Sequence, residues 1–123
     1  MQKLMIVDDS NVIRNKIRRS VHSKRFTLVA TACSGAEAIN QCKATKPDIV
    51  TMDLTMPNMD GIQCIEKLML LNPDIIILVV SALSDKATGI EALEKGARGF
   101  LLKPFTDDDL NNALLELTDF LYV

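Results

Sequence analysis

At 123 residues the chain has the size of one ordinary domain, enough to bury a single core and too short for a second module, so one domain over 1–123 is expected. Its 48% hydrophobic and 24% charged residues exclude a disordered segment, and the longest apolar run, "IIILVV" (75–80), is far below the ~18 residues of a membrane helix. The net charge of −2 hides an asymmetry: residues 1–61 carry nine Lys/Arg against six Asp/Glu, and 62–123 carry five against ten.

In chain order, "KLMIV" (3–7) reads as a first strand, after which Ser10 can cap a helix. "TLVATA" (27–32) is a second strand, followed by a helix with Ser34 and Glu37 at capping-box spacing and Pro47 as its stop. "DIVTMD" (48–53) is a third; Pro57 and Gly61 shape the loop that leaves it, and Pro73 ends the next helix. "IIILVVS" (75–81), a fourth helix, and "GFLLK" (99–103) come next. Thr106, with Asp109 at capping-box spacing, opens a fifth helix whose Leu110, Ala113, Leu114, Leu117 and Leu121 form a core-facing stripe.

The strands are apolar runs without strict alternation, the pattern of a sheet covered on both faces and therefore parallel. Strict βα alternation with short, right-handed connections gives a doubly wound α/β sandwich. In such folds ligands sit beyond the carboxyl ends of the strands, which is where chemistry is to be sought.

Those ends carry Asp8 and Asp9 after the first strand, Asp53 at the third, Ser81 at the fourth and Lys103 at the fifth. Neighbouring carboxylates repel unless a cation neutralises them. With no His or Cys beside them they favour a hard, oxygen-liganded ion, Mg²⁺ first. Mg²⁺ is commonly shared between carboxylates and phosphate oxygens, and an aspartate can itself attack phosphorus to form an aspartyl phosphate. Asp53 is the candidate acceptor; Lys103 supplies a cation and Ser81 a hydroxyl for the phosphoryl oxygens.

The three cysteines (33, 42, 64) form no CxxC pair and have only His22 to accompany them, so they read as reduced small hydrophobes, neither a disulfide framework nor a zinc site. With no export signal after the N-terminal "LMIV", a cytoplasmic location is expected.

Four segments, "IVDDS" (6–10), "PDIVTMDLTMPNMDG" (47–61), "VSA" (80–82) and "KGARGFLLKPF" (95–105), resemble the receiver domain of a two-component response regulator, in the single-domain form of the chemotaxis regulators. The resemblance implies a (βα)5 flavodoxin-like sandwich, a five-stranded parallel sheet of order 2-1-3-4-5. It implies that Asp53 takes a phosphoryl group from a histidine kinase or histidine phosphotransfer protein. Asp8, Asp9, Asp53 and the backbone carbonyl of Thr55 would then bind Mg²⁺, and Ser81 and Lys103 would contact phosphoryl oxygens. It further implies a cis peptide at Lys103–Pro104, a switch formed by Ser81 and Phe100, and tuning of phosphoryl lifetime by Thr55 and Leu83, where apolar Leu83 is expected to impede water. Output would pass through the fourth helix, fifth strand and fifth helix, roughly 85–122, to a protein target such as a motor switch or a regulated enzyme, or along a phosphorelay. Ser at 81 and Phe at 100 replace the more frequent Thr and Tyr.

Arg14, Lys16, Arg18, Arg19, Lys24 and Arg25 cluster on and after the first helix. The acidic balance argues against nucleic acid; cations near the carboxyl end of a helix favour its dipole, and in the resembled family this helix docks the phosphoryl donor. Two other classes share parts of this pattern. A flavin-binding electron carrier would want a Ser/Thr/Gly-rich phosphate loop where "DDS" stands. An aspartyl-phosphate phosphatase would want a second acid two residues after the nucleophile, where Thr55 stands.

Overall fold

The computed structural model describes residues 2–21, 24–54, 56, 61–82 and 86–119. Strands and helices alternate along it: β1 (Gln2–Val7), α1 (Asn11–Ser20), β2 (Phe26–Ala32), α2 (Gly35–Thr45), β3 (Ile49–Met52), α3 (Gly61–Leu71), β4 (Ile76–Ala82), α4 (Lys86–Glu94), β5 (Gly99–Lys103) and α5 (Asp107–Thr118). Every strand pairing is parallel and the order is β2-β1-β3-β4-β5. The chain builds to one edge at β2, returns past β1 to β3 and builds to the other edge at β5. That reversal opens a crevice at the carboxyl ends of β1 and β3.

The uninterrupted apolar runs are explained by two cores. Met5, Val7, Val50, Met52, Ile77 and Val79 point to one side, against Ala38 and Cys42 of α2, Ile62, Ile65 and Leu68 of α3 and Ala92 of α4. The intervening Leu4, Ile6, Ile49, Ile76, Leu78 and Val80 point to the other, against Ile17 of α1, Phe105, and Leu110 and Leu114 of α5. Strand side chains alternate, so a strand buried on both faces must be apolar throughout. Each such side chain, fully buried, contributes roughly 1.5–3 kcal/mol. The rigid frame that results fixes whatever stands at the strand ends.

Local signals act much as the residues suggest. Ser10 Oγ accepts from Ile13 N at 3.3 Å, and Ser34 Oγ from Glu37 N at 3.2 Å. The Glu37 carboxylate, however, takes the Cys33 thiol at 3.1 Å. The box at α5 is reciprocal, with Thr106 and Asp109 each accepting the other's N–H at 3.0 Å. After α4 the chain turns through Gly96, whose φ of 126° is closed to most side chains; a Cβ there would also come to 2.9 Å from Met69 Cγ. Of the α5 stripe, Leu110 and Leu114 are buried, Ala113 and Leu117 pack against the same core, and Leu121 lies outside the described residues.

Candidate functional site

The ends of β1, β2 and β3 are tied by main-chain bonds that continue past the strands. Asp8 N donates to Ala32 O at 3.0 Å and Asp53 N to Val7 O at 2.9 Å. Each acid is therefore delivered by the sheet itself. Asp8 and Asp53 are 1% and 2% exposed, whereas Asp9 is at the surface. One carboxylate oxygen from each of the three lies within 4.8 Å of the others.

Lys103 reaches this group from the end of β5. Its ammonium stands 3.0 Å from Asp8 Oδ2 and 3.8 Å from Asp53 Oδ1. Asp8 Oδ1 accepts from Ser10 N at 2.9 Å, and the Arg14 guanidinium donates to the Asp8 carbonyl at 2.7 Å and to Asn11 Oδ1 at 3.0 Å. At a separation of 4.8 Å two like charges repel by about 3–4 kcal/mol at an effective dielectric of ~20. Even with Arg14 at the Asp8 carbonyl, two cations against three carboxylates leave the pocket short of positive charge. A divalent cation with oxygen preference fits that deficit, the acids' spacing and their chemistry.

Ser81 is buried one residue before the end of β4, paired in register with Leu102, while Ala82 pairs with Lys103. Phe100 pairs with Val79, so alternation places Ser81 and Phe100 on the same side of the sheet, the side of α3 and α4. The half-buried Phe100 ring lies directly over Gly89 of α4, in the space a Cβ at 89 would need. The Lys103–Pro104 peptide is cis. Thr55, Pro57 and Leu83 lie outside the described residues.

The cysteines take no part. Cys64 is buried and its thiol is pushed up to about 12 by desolvation; Cys42 is raised for the same reason. Cys33 is exposed, and its thiol is raised chiefly by its hydrogen bond to Glu37.

Two contributions are not evident from composition. Arg14 belongs to a basic surface group by sequence, yet one turn into α1 it faces back to the loop before it. Gly89 is an isolated glycine inside a helix, a signal that usually marks a close approach. Of the basic group, Arg25 is also engaged internally, with Asp119 Oδ1 at 2.9 Å and Thr118 Oγ1 at 3.2 Å.

Residues 4–115 match the family profile of the response regulator receiver domain. The chain belongs to that family. This receiver domain is 40% identical over 114 residues to the chemotaxis protein CheY of Listeria monocytogenes, covering 93% of this chain and 96% of the relative. Its structure superposes on the REC domain of AraT, a response regulator from Geobacillus stearothermophilus, with a TM-score of 0.92 at 27% identity, covering 98% and 95% of the two chains. It also resembles CheY of Borrelia burgdorferi, solved as a CheX-CheY-BeF3-Mg²⁺ complex, with a TM-score of 0.83 and 31% identity over 99% and 90% of the chains. The five-stranded order 2-1-3-4-5 and the flavodoxin-like sandwich are shared with these neighbours. Among the described residues no helix is long and apolar enough to cross a membrane.

Proposed function

We propose that this receiver is a phosphorylation-activated signalling switch of a two-component system, with Asp53 as the acceptor. The observation that carries the reading is a carboxylate only 2% exposed at the end of a central strand, with two further acids within 4.8 Å and an ammonium 3.8 Å away. A buried charge in such company has a chemical task more readily than a structural one.

A carboxylate oxygen of Asp53 attacks the phosphorus of a phosphohistidine on a kinase or phosphotransfer protein. The O–P bond forms as the P–N bond breaks, and the imidazole leaves with its electron pair and takes a proton from solvent. Lys103 meets the charge that develops on the phosphoryl oxygens, and the Ser81 hydroxyl donates to one of them. Asp8, Asp9, Asp53 and the carbonyl of Thr55 would hold Mg²⁺, which neutralises phosphoryl charge when bound. Ser81 and Phe100 report the new group to α4 and β5, a shift between two packings that needs contacts present in only one of them. The protein assists only its own phosphorylation and dephosphorylation, at a lifetime tuned by Thr55 and Leu83.

The output face is α4-β5-α5, where Ile90, Leu93 and Leu102 are exposed apolar side chains and the first turn of α5 is acidic. It signals by protein contact in the cytoplasm, in chemotaxis on the strength of the CheY relatives. A stand-alone receiver that regulates an enzyme or serves a phosphorelay would use the same chemistry. The test is incubation with acetyl phosphate, with and without Mg²⁺, followed by intact mass. A Mg²⁺-dependent phosphoryl adduct in the wild type and none in Asp53→Asn supports the reading; no adduct from acetyl phosphate or from a phosphohistidine donor refutes it.

A further inference from the structure

Lys16 stands on α1 between Ile13 and Ile17, which pack into the core beneath the helix. Its ammonium donates to the backbone carbonyl of Phe105 at 2.7 Å and lies 4.5 Å from the centroid of the same residue's ring. One side chain thus grips Phe105 twice, by a charge-assisted hydrogen bond to the main chain and by a cation–π contact. Phe105 is buried and lies two residues beyond Lys103. In the segment that joins Lys103 to α5, Pro104 has no N–H to offer, and Thr106 is committed to the helix, its hydroxyl to Asp109 N and its carbonyl to Leu110 N. The carbonyl of Phe105 ties this segment to α1, and at the far end of the helix Ser20 adds two bonds to α5, its hydroxyl donating to Asp107 Oδ1 and its carbonyl accepting from Asn111 Nδ2.

Arg14, half a turn earlier on the same helix, holds the Asp8 carbonyl at 2.7 Å. Helix α1 therefore fastens, by main chain, Asp8 itself and a residue two beyond Lys103, on either side of the 3.0 Å ion pair between Asp8 and Lys103. Covering the Phe105 ring would need only an apolar side chain. A donor aimed at the carbonyl is directional, and direction matters where the Lys103 ammonium must stand within reach of two carboxylates.

We infer that Lys16 is a positioning residue, which fixes where the Lys103 ammonium stands and so sets the rate at which Asp53 gains a phosphoryl group. The inference rests on Asp53 being the acceptor. It also divides the basic group on α1 by role, with Arg14 and Lys16 turned toward the site and Arg18 and Arg19 exposed at the last turn.

The test compares wild type, Lys16→Met, which keeps the stem, and Lys16→Arg, which keeps a charged donor. Adduct formation from acetyl phosphate is timed by intact mass at saturating Mg²⁺, and the Lys103 ¹³Cε resonance is recorded in the metal-free protein. Lys16→Met is expected to slow adduct formation about tenfold, since displacement of a charged group by a fraction of an ångström is felt directly in rate. Its Lys103 resonance moves toward the value of an exposed lysine, and Lys16→Arg restores both. An unchanged rate, a slowed rate with the Lys103 resonance unmoved, or a failure of Arg to restore would overturn the inference. If the wild type takes no adduct, the acceptor reading falls, and the Lys103 resonance alone decides whether Lys16 positions it. Should Lys16→Met fail to fold, Lys16→Gln replaces it in the same measurements.

Discussion

Lys103→Met keeps the aliphatic stem and deletes the ammonium. In metal-free protein this leaves Asp8 and Asp53, 1% and 2% exposed, facing each other and Asp9 without that cation. At 3.0 and 3.8 Å the lost attractions amount to about 5.5 and 4.4 kcal/mol at an effective dielectric of ~20. The lysine side chain is itself 23% exposed, so solvent screens part of this, and its removal also relieves its own desolvation. Removing one partner of a buried pair costs about 3–5 kcal/mol, and with the exposure taken into account a loss of about 2–4 kcal/mol is expected. Urea unfolding followed by circular dichroism in EDTA measures it. Mg²⁺ should then narrow the gap between the two proteins. At 100 times its dissociation constant a ligand adds about 2.7 kcal/mol, and the variant, with no competing ammonium, should bind the ion more tightly than wild type. Equal stability of the two proteins in EDTA would refute the claim that Lys103 neutralises the acids. A deficit that Mg²⁺ leaves untouched would refute the claim that those acids hold the ion.

Thr51 Oγ1 is buried on β3, between Ile6 and Leu78 in register, and has no hydrogen-bond partner among the described residues. Thr51→Val should therefore stabilise by about 1–2 kcal/mol, read as a rise in Tm of several degrees; a fall would mean that the hydroxyl is satisfied. Gly89→Ala gains about 1 kcal/mol of helix propensity but places its Cβ in the Phe100 ring, so a net loss of about 1–2 kcal/mol and shifted Phe100 ring resonances are expected. Stabilisation with an unmoved ring would contradict the packing. The Cys64 thiol, ordinarily near 9.0, is pushed up to about 12 by burial. Between these values the folded form keeps a proton that the unfolded form has lost, so the contribution is intact below about 9 and stability falls as pH rises toward about 12. Cys64→Val should flatten that decline in urea titrations, and an equal slope in both proteins would count against it.

The fold was legible because both faces of the sheet are buried. Runs such as Ile75–Val80 announce strands by composition alone, and Ser34, Pro47 and Thr106 punctuate the helices between them. The grouping of Asp8, Asp53 and Lys103 could be reasoned from topology, since a parallel sheet brings its carboxyl ends to one edge. What stayed hidden depends on side-chain direction. Arg14, Lys16 and Arg25 have the same composition as a solvated basic face, and only coordinates distinguish a lysine bonded to the Phe105 carbonyl from one in water. The Gly89 notch depends on the rotation of α4 relative to β5, which periodicity does not specify. That Cys33 is exposed, unlike Cys42 and Cys64, is likewise unmarked in the sequence.

The acids and the cation of this pocket arrive far apart in the order of synthesis. A growing chain makes Asp8 first, Asp53 some forty-five residues later and Lys103 fifty after that. The last of them rides on β5, the outermost strand of its half of the sheet. A chain with β1, β3 and β4 in place would hold its carboxylates and still lack the Lys103 ammonium that faces them. On the function proposed above, the pocket is therefore complete only once β5 has docked and brought Lys103 to the acids.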